Sequence, residues 1–134
     1  MHVVSLHILN AFFLVFHTSL VLFNVLGWAH PRTRRANLAT LLMTLFSWTV
    51  MGAWYGQGFC ICTEWHWQIR EELGLTQNPN SYVQFLIESL TPFHPSRAFV
   101  DNGTVTLFLM SLAISLYLNT RGNDSPALRL RLRP

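Results

Sequence analysis

Hydrophobic residues along this chain gather into three long runs, and the stretches between them differ sharply in character. The first run, Val3 to Trp28, contains no Asp, Glu, Lys or Arg. The second, Leu38 to about Phe59, is equally free of charge, and the third, Thr104 to Asn119, is shorter. A bilayer core of roughly 30 Å takes about 20 helical residues, within a range of about 17 to 25. The first two runs meet that length, and the third reaches it only with Phe99, Val100 and flanking polar residues. The pattern predicts an all-α integral membrane protein with three transmembrane helices, at about 4–28, 37–58 and 103–119. The first run is too long for the apolar part of a signal peptide, lacks a basic segment ahead of it, and is followed by arginines rather than a small-residue cleavage site. It reads as a retained helix.

The segment from 60 to 102 is neither a span nor a simple loop. Trp65, Ile69 and Leu73 recur at helical spacing, with Gln68, Arg70, Glu71 and Glu72 on other faces and Gly74 placed to stop the helix. After the turn cluster Thr76 to Asn80, Ser81 and Gln84 form the sequence signature of a capping box. Apolar Val83, Phe85, Leu86, Ile87 and Leu90 follow, and Pro92 and Pro95 end the helix. Two short amphipathic interfacial helices are expected here. Trp54, Tyr55, Trp65 and Trp67 suit the headgroup level, where a ring with one polar edge is best solvated.

Composition agrees with membrane residence. Apolar residues make up 51% of the 134 and charged ones 11%, against about a quarter charged in soluble domains. There is room for a single membrane domain, about 1–120, and a basic tail, 121–134. The chain has no lysine, and its arginines are unevenly placed. Arg32, Arg34 and Arg35 follow the first run, and Arg121, Arg129, Arg131 and Arg133 follow the third. Between the second and third runs there are two arginines, Arg70 and Arg97, with five of the six acids. Arginine excess marks cytoplasmic loops. The first turn and the tail are therefore expected inside and the middle segment outside, with the N-terminus outside and the C-terminus cytoplasmic. The expected home is a bacterial inner membrane. The bilayer is one expected partner, other membrane subunits or a second copy another, and nucleic acid none.

Polar residues inside the runs fall on stripes. His7, Asn10, His17 and Asn24 share one face of helix one; Asn37, Thr40, Thr44 and Ser47 share one face of helix two; Thr104, Ser111 and Ser115 lie on helix three. Such stripes pack transmembrane helices against each other. An ionisable residue near mid-bilayer raises the question of function, and His17 is that residue. It is either a functional group or a neutral ring bonded to Ser47 or Thr44.

Other chemistry is sparser. Cys60 and Cys62 are a disulfide, a thiol pair or independent structural cysteines. Cys60, Cys62, His66 and His94 could supply four zinc ligands, though at no established zinc spacing. Glu88 on an apolar helix invites a partner among His66, His94 and His7. His17, His66 and Glu88 are the candidate catalytic residues, and no cofactor is specified.

Three segments carry a family resemblance. His17-Thr18-Ser19-Leu20-Val21-Leu22-Phe23-Asn24-Val25-Leu26-Gly27, Gly58-Phe59-Cys60-Ile61-Cys62-Thr63, and Ser81 to Glu88 continuing through Pro92-Phe93-His94-Pro95 occur in order. Together they resemble small bacterial membrane proteins grouped as domain of unknown function 2784. The resemblance extends to Asn119 and implies His17, Cys60, Thr63 and Glu88 as carried-over positions. It also shows departures: Ile61 stands where that family has proline, Cys62 where it has leucine, His66 where it has glutamate, and Ser89 where it has histidine. The resemblance lends no activity. Two functions are carried forward. The first is an accessory or structural subunit of a larger membrane complex. The second is a small membrane enzyme or redox/metal-binding protein with an outer-leaflet site built from His17, Cys60, His66 and Glu88.

Overall fold

A computed structural model describes residues 2–79 and 81–121, and Arg129, Arg131 and Arg133 lie outside the described residues. Among those described, every regular element is helical: α1 (Val3–Leu26), α2 (Arg34–Tyr55), α3 (Ile61–Glu72), α4 (Tyr82–Leu90) and α5 (Arg97–Arg121). Helices α1, α2 and α5 are each long and apolar enough to cross a membrane. The chain is thus an all-α protein of three span-length helices with two short helices inserted between the second and third.

The boundaries move from those expected, for visible reasons. Helix α5 starts at Arg97 rather than near 103. The Ser96 hydroxyl accepts from the Phe99 N–H, and Arg97 pairs with Asp101 one turn on at 3.2 Å. The third span is therefore 25 residues long and no longer marginal. Helix α2 ends at Tyr55, short of 58, because Gly56 takes φ 106° and Gly58 φ 82°. Its last turns widen into a π-turn over Ser47–Met51, a form that seldom extends past a single turn. The chain then folds back, and the Ser47 hydroxyl donates to the Phe59 carbonyl at 2.7 Å.

The α1–α2 turn is held by close approach. Asn37, fully buried on α2, donates to the Phe23 carbonyl at 2.7 Å, and Thr33 donates to that of Gly27 at 2.6 Å. A Cβ at Gly27 would stand 2.5 Å from the Phe23 carbonyl oxygen, so only glycine fits. Asn24 donates to Thr44 at 3.0 Å across the same pair of helices. On α5, Ser111 donates to the Val25 carbonyl and Asn119 to that of Arg34. The polar stripes of the three span-length helices do face one another.

Helices α3 and α4 lie along the flank of α1. The cluster of Tyr82, Phe85 and Leu86 is completed by Leu14, Val21 and Trp67. It therefore reaches well over halfway along α1, since His17 lies roughly 21 Å from Val3 at 1.5 Å per residue. Gly74, at φ 76°, ends α3 as expected: its N–H bonds the Glu71 carbonyl while that of Leu75 bonds Arg70, the pairing of a Schellman cap. At the start of α4 only half of the expected capping box forms. Ser81 accepts from the Gln84 N–H, but the Gln84 side chain donates forward to Glu88 instead.

Candidate functional site

The packed face of α3 is not the apolar stripe. Trp65 is half exposed and Ile69 and Leu73 are only half-buried, whereas His66 is fully buried. Where lipid covers the exterior, apolar stripes can turn outward and polar side chains turn in to find partners.

His66 finds two. Its Nε2 lies 2.9 Å from Asn10 Oδ1 and its Nδ1 lies 2.7 Å from the Tyr82 hydroxyl. An amide oxygen only accepts, so Nε2 carries the proton and donates to Asn10. Nδ1 is then the acceptor, and Tyr82 donates to it. Rings of Phe13 and Trp67 stack against the imidazole at 5.7 Å each. The other face of the cluster is closed by His17, whose ring stacks on Tyr82 with centroids 3.9 Å apart. His17 is buried and bonds neither Ser47 nor Thr44, which are bonded to Phe59 and to Thr40 and Asn24. Its Nδ1 has no hydrogen-bond partner among the described residues.

Electrostatics keep the site neutral. Burial, together with the Arg70 charge, lowers the His66 pKa to about 4, against the opposing pull of Asn10. Burial raises the Tyr82 hydroxyl far above its ordinary value, with Arg70 opposing and the nearby Cys60 and Cys62 thiols adding to the rise. Both cysteines are free and half-buried. Burial and the neighbouring Cys60 push the Cys62 thiol up, so it holds its proton and is a poor nucleophile.

The expected residues are thus partly assembled. His17 and His66 meet through Tyr82, with the two cysteines close by. Glu88 stands apart: it accepts from Gln84 and faces His94 at 4.0 Å, and His94 is 76% exposed at its side chain. His7 is exposed although Asn10, His17 and Asn24, from the same stripe, turn inward. No group of three or more His, Cys, Asp or Glu side chains is placed to hold a metal among the described residues. The zinc set of Cys60, Cys62, His66 and His94 is not brought together, because both His66 nitrogens are engaged and His94 is beside Glu88. Sequence reasoning missed Tyr82 and undervalued Asn10. The signal was a tyrosine at the start of a helix whose next inward residues, Phe85 and Leu86, are apolar.

Three span-length helices and a helical hairpin, pinned by a closed Asn–His–Tyr network, define a small polytopic membrane protein. Residues 7–120 match the family described as Protein of Unknown function (DUF2784), and the chain belongs to that family. No curated protein and no solved structure matches it.

Proposed function

We propose that this protein is an accessory or structural subunit of a larger membrane assembly, joined to its neighbours through α5. The observation carrying this reading is the outward face of that helix. Phe99, Gly103, Thr106, Met110, Ala113 and Tyr117 recur every three or four residues, and all are exposed. A spacing averaging about 3.6 keeps these residues on one side of the helix, and glycine, threonine and alanine let helix backbones approach closely within a membrane. Asn102, beside this face, is also exposed. Lipid tails supply no partner for such polar groups; a second helix does.

The closed network supports the same reading. Both His66 nitrogens are held by neutral side chains, which leaves neither for substrate or metal, and Glu88 is not beside it. An enzyme or redox/metal site built from His17, Cys60, His66 and Glu88 has correspondingly less support. Stoichiometric metal or a visible chromophore in gently purified protein would replace our reading with that one.

The test uses Gly103→Leu. A Cβ there meets nothing within 4 Å, so the fold of the single chain tolerates the change. The wild-type chain is expected to migrate with partner chains or as an oligomer in mild detergent. Gly103→Leu should shift it to the monomer with its helical content unchanged. A wild-type monomer, or an assembly indifferent to the leucine, sinks the proposal.

We further place the protein in a bacterial inner membrane, with the Arg32–Arg34–Arg35 turn and the Arg121 end in the cytoplasm. Support comes from arginine placement: Arg34 caps the turn by donating to the Trp28 carbonyl, and Arg121 stacks over Tyr117. In a Cys60→Ala, Cys62→Ala background, a cysteine replacing exposed Glu72 should react with an impermeant thiol reagent on intact cells. Labelling only after lysis would reverse the orientation.

A further inference from the structure

Arg70 of the hairpin carries a charge that the fold holds in place without pairing it to a carboxylate among the described residues. Its guanidinium carbon lies 4.5 Å from the Phe85 ring centroid and 5.9 Å from that of Trp67. Its Nε donates to Asn78 Oδ1 at 2.8 Å. Three contacts from α3, α4 and the linker thus fix the plane of the fork. Yet no carboxylate pairs with it among the described residues, although Glu71 and Glu72 follow it directly in sequence. Arg97, by contrast, is paired with Asp101. Arg70 is half-buried, and that burial lowers the pKa of its guanidinium.

A guanidinium has five N–H donors. Asn78 takes the Nε one, and the Nη groups bond no acceptor among the described residues. Two parallel N–H groups on a fixed plane match the oxygens of a phosphate, and the fit is stronger when the fork is held in advance. Asn78 and Phe85, which hold the fork, also line an open cleft of about 420 Å³, although Arg70 itself is not in its wall. Glu88 also lines it, already accepting from Gln84 and facing His94. Trp54, Tyr55 and Trp65 are exposed, and such rings favour the headgroup level.

We propose that Arg70 anchors a phosphate-binding site that takes the phosphodiester of a phospholipid headgroup in the leaflet beside the α3–α4 hairpin. Recognition is bidentate, through the Nη groups, with Phe85 and Asn78 setting the angle of the fork. The site does not depend on α5 having a partner, and its failure would leave the subunit reading untouched.

The experiment uses the full-length protein in a nonionic detergent. Short-chain phosphatidylglycerol and inorganic phosphate are titrated separately, and binding is followed by tryptophan fluorescence, Trp67 lying under the guanidinium. Saturable binding of phosphatidylglycerol is expected, weakened by at least about tenfold in Arg70→Gln, the range for losing a hydrogen bond to a charged group. Arg70→Lys keeps the charge but not the fork and should also bind more weakly than wild type. Thermal midpoints within a few degrees of wild type show that the variants are folded. If phosphatidylglycerol binds equally well to wild type and Arg70→Gln, the site is elsewhere and the proposal is overturned. Binding of inorganic phosphate without the lipid overturns the headgroup assignment, and binding of neither overturns the site.

Discussion

Replacing His66 with alanine is expected to detach the α3–α4 hairpin from α1 and to lower the stability of the folded chain by about 4 kcal/mol. Two effects add. Removing the ring leaves the half-buried Asn10 amide oxygen without its donor and the Tyr82 hydroxyl with only a long 3.5 Å contact to the Phe13 carbonyl, at about 1 to 3 kcal/mol for an unsatisfied polar group. It also leaves a cavity between Phe13, Trp67 and Tyr82, whose rings now pack on the imidazole, and cavities of that size cost about 2 kcal/mol or more. The measurement is thermal unfolding in detergent, followed by tryptophan fluorescence and by the reactivity of the half-buried Cys60 and Cys62. Faster thiol labelling at temperatures where the wild-type chain is protected would show local detachment. An unchanged midpoint together with unchanged labelling would mean that the hairpin is held by its apolar contacts alone.

Acid should reach the same state by another route. In the folded protein His66 titrates at about 4, lowered first by burial and then by Arg70. Once the hairpin is released the ring returns to its ordinary value near 6.5. As pH falls below 6.5 the released form takes up a proton while the latched form stays neutral, so stability is lost as pH drops. The loss accumulates between pH 6.5 and about 4 and amounts to about 3 kcal/mol. Above pH 6.5 the latch is at full strength. Unfolding midpoints from pH 8 to 4 should therefore be flat and then decline for the wild-type chain. The decline should be much shallower in His66→Gln, whose amide can bond Asn10 and Tyr82 but does not titrate. Parallel curves for the two proteins would assign the acid sensitivity to another group.

How much of this was readable beforehand follows from what the sequence signals measure. Uncharged run length reports burial in hydrocarbon directly, so α1 and α2 were legible to within a few residues. Helix α5 was read as short because Asp101, Asn102 and Gly103 look like a boundary. Arg97 neutralises Asp101 one turn away, and a pairwise effect of that kind is invisible to a run of hydropathy. The short helices were legible as helices, with Gly74 and Pro92 marking their ends, but their orientation was not. Amphipathic patterns report which face is apolar, and in a membrane that face is free to turn either way. Thus Trp65 points outward while His66 fills the interior. The candidate site was half legible. His17 was conspicuous as an ionisable residue within a span, and its distance in sequence from His66 and Tyr82 hid the stack they form. Glu88 drew notice for its apolar neighbours in sequence, but its partners in space are Gln84 and His94.

The bond between Asn10 and His66 joins residues 56 positions apart, and Ser111 and Val25 are 86 apart. A ribosome adding roughly 5–20 residues per second takes about 3 to 11 seconds to cover the shorter of these separations. Throughout that interval α1 has already been made, with Asn10 and His17 along one side and their partners His66 and Tyr82 not yet in existence. These two residues of α1 are therefore satisfied well after their own helix is made. In the cell, the stretch of synthesis before α3 is complete is when this protein is most exposed to mispairing and to membrane proteases.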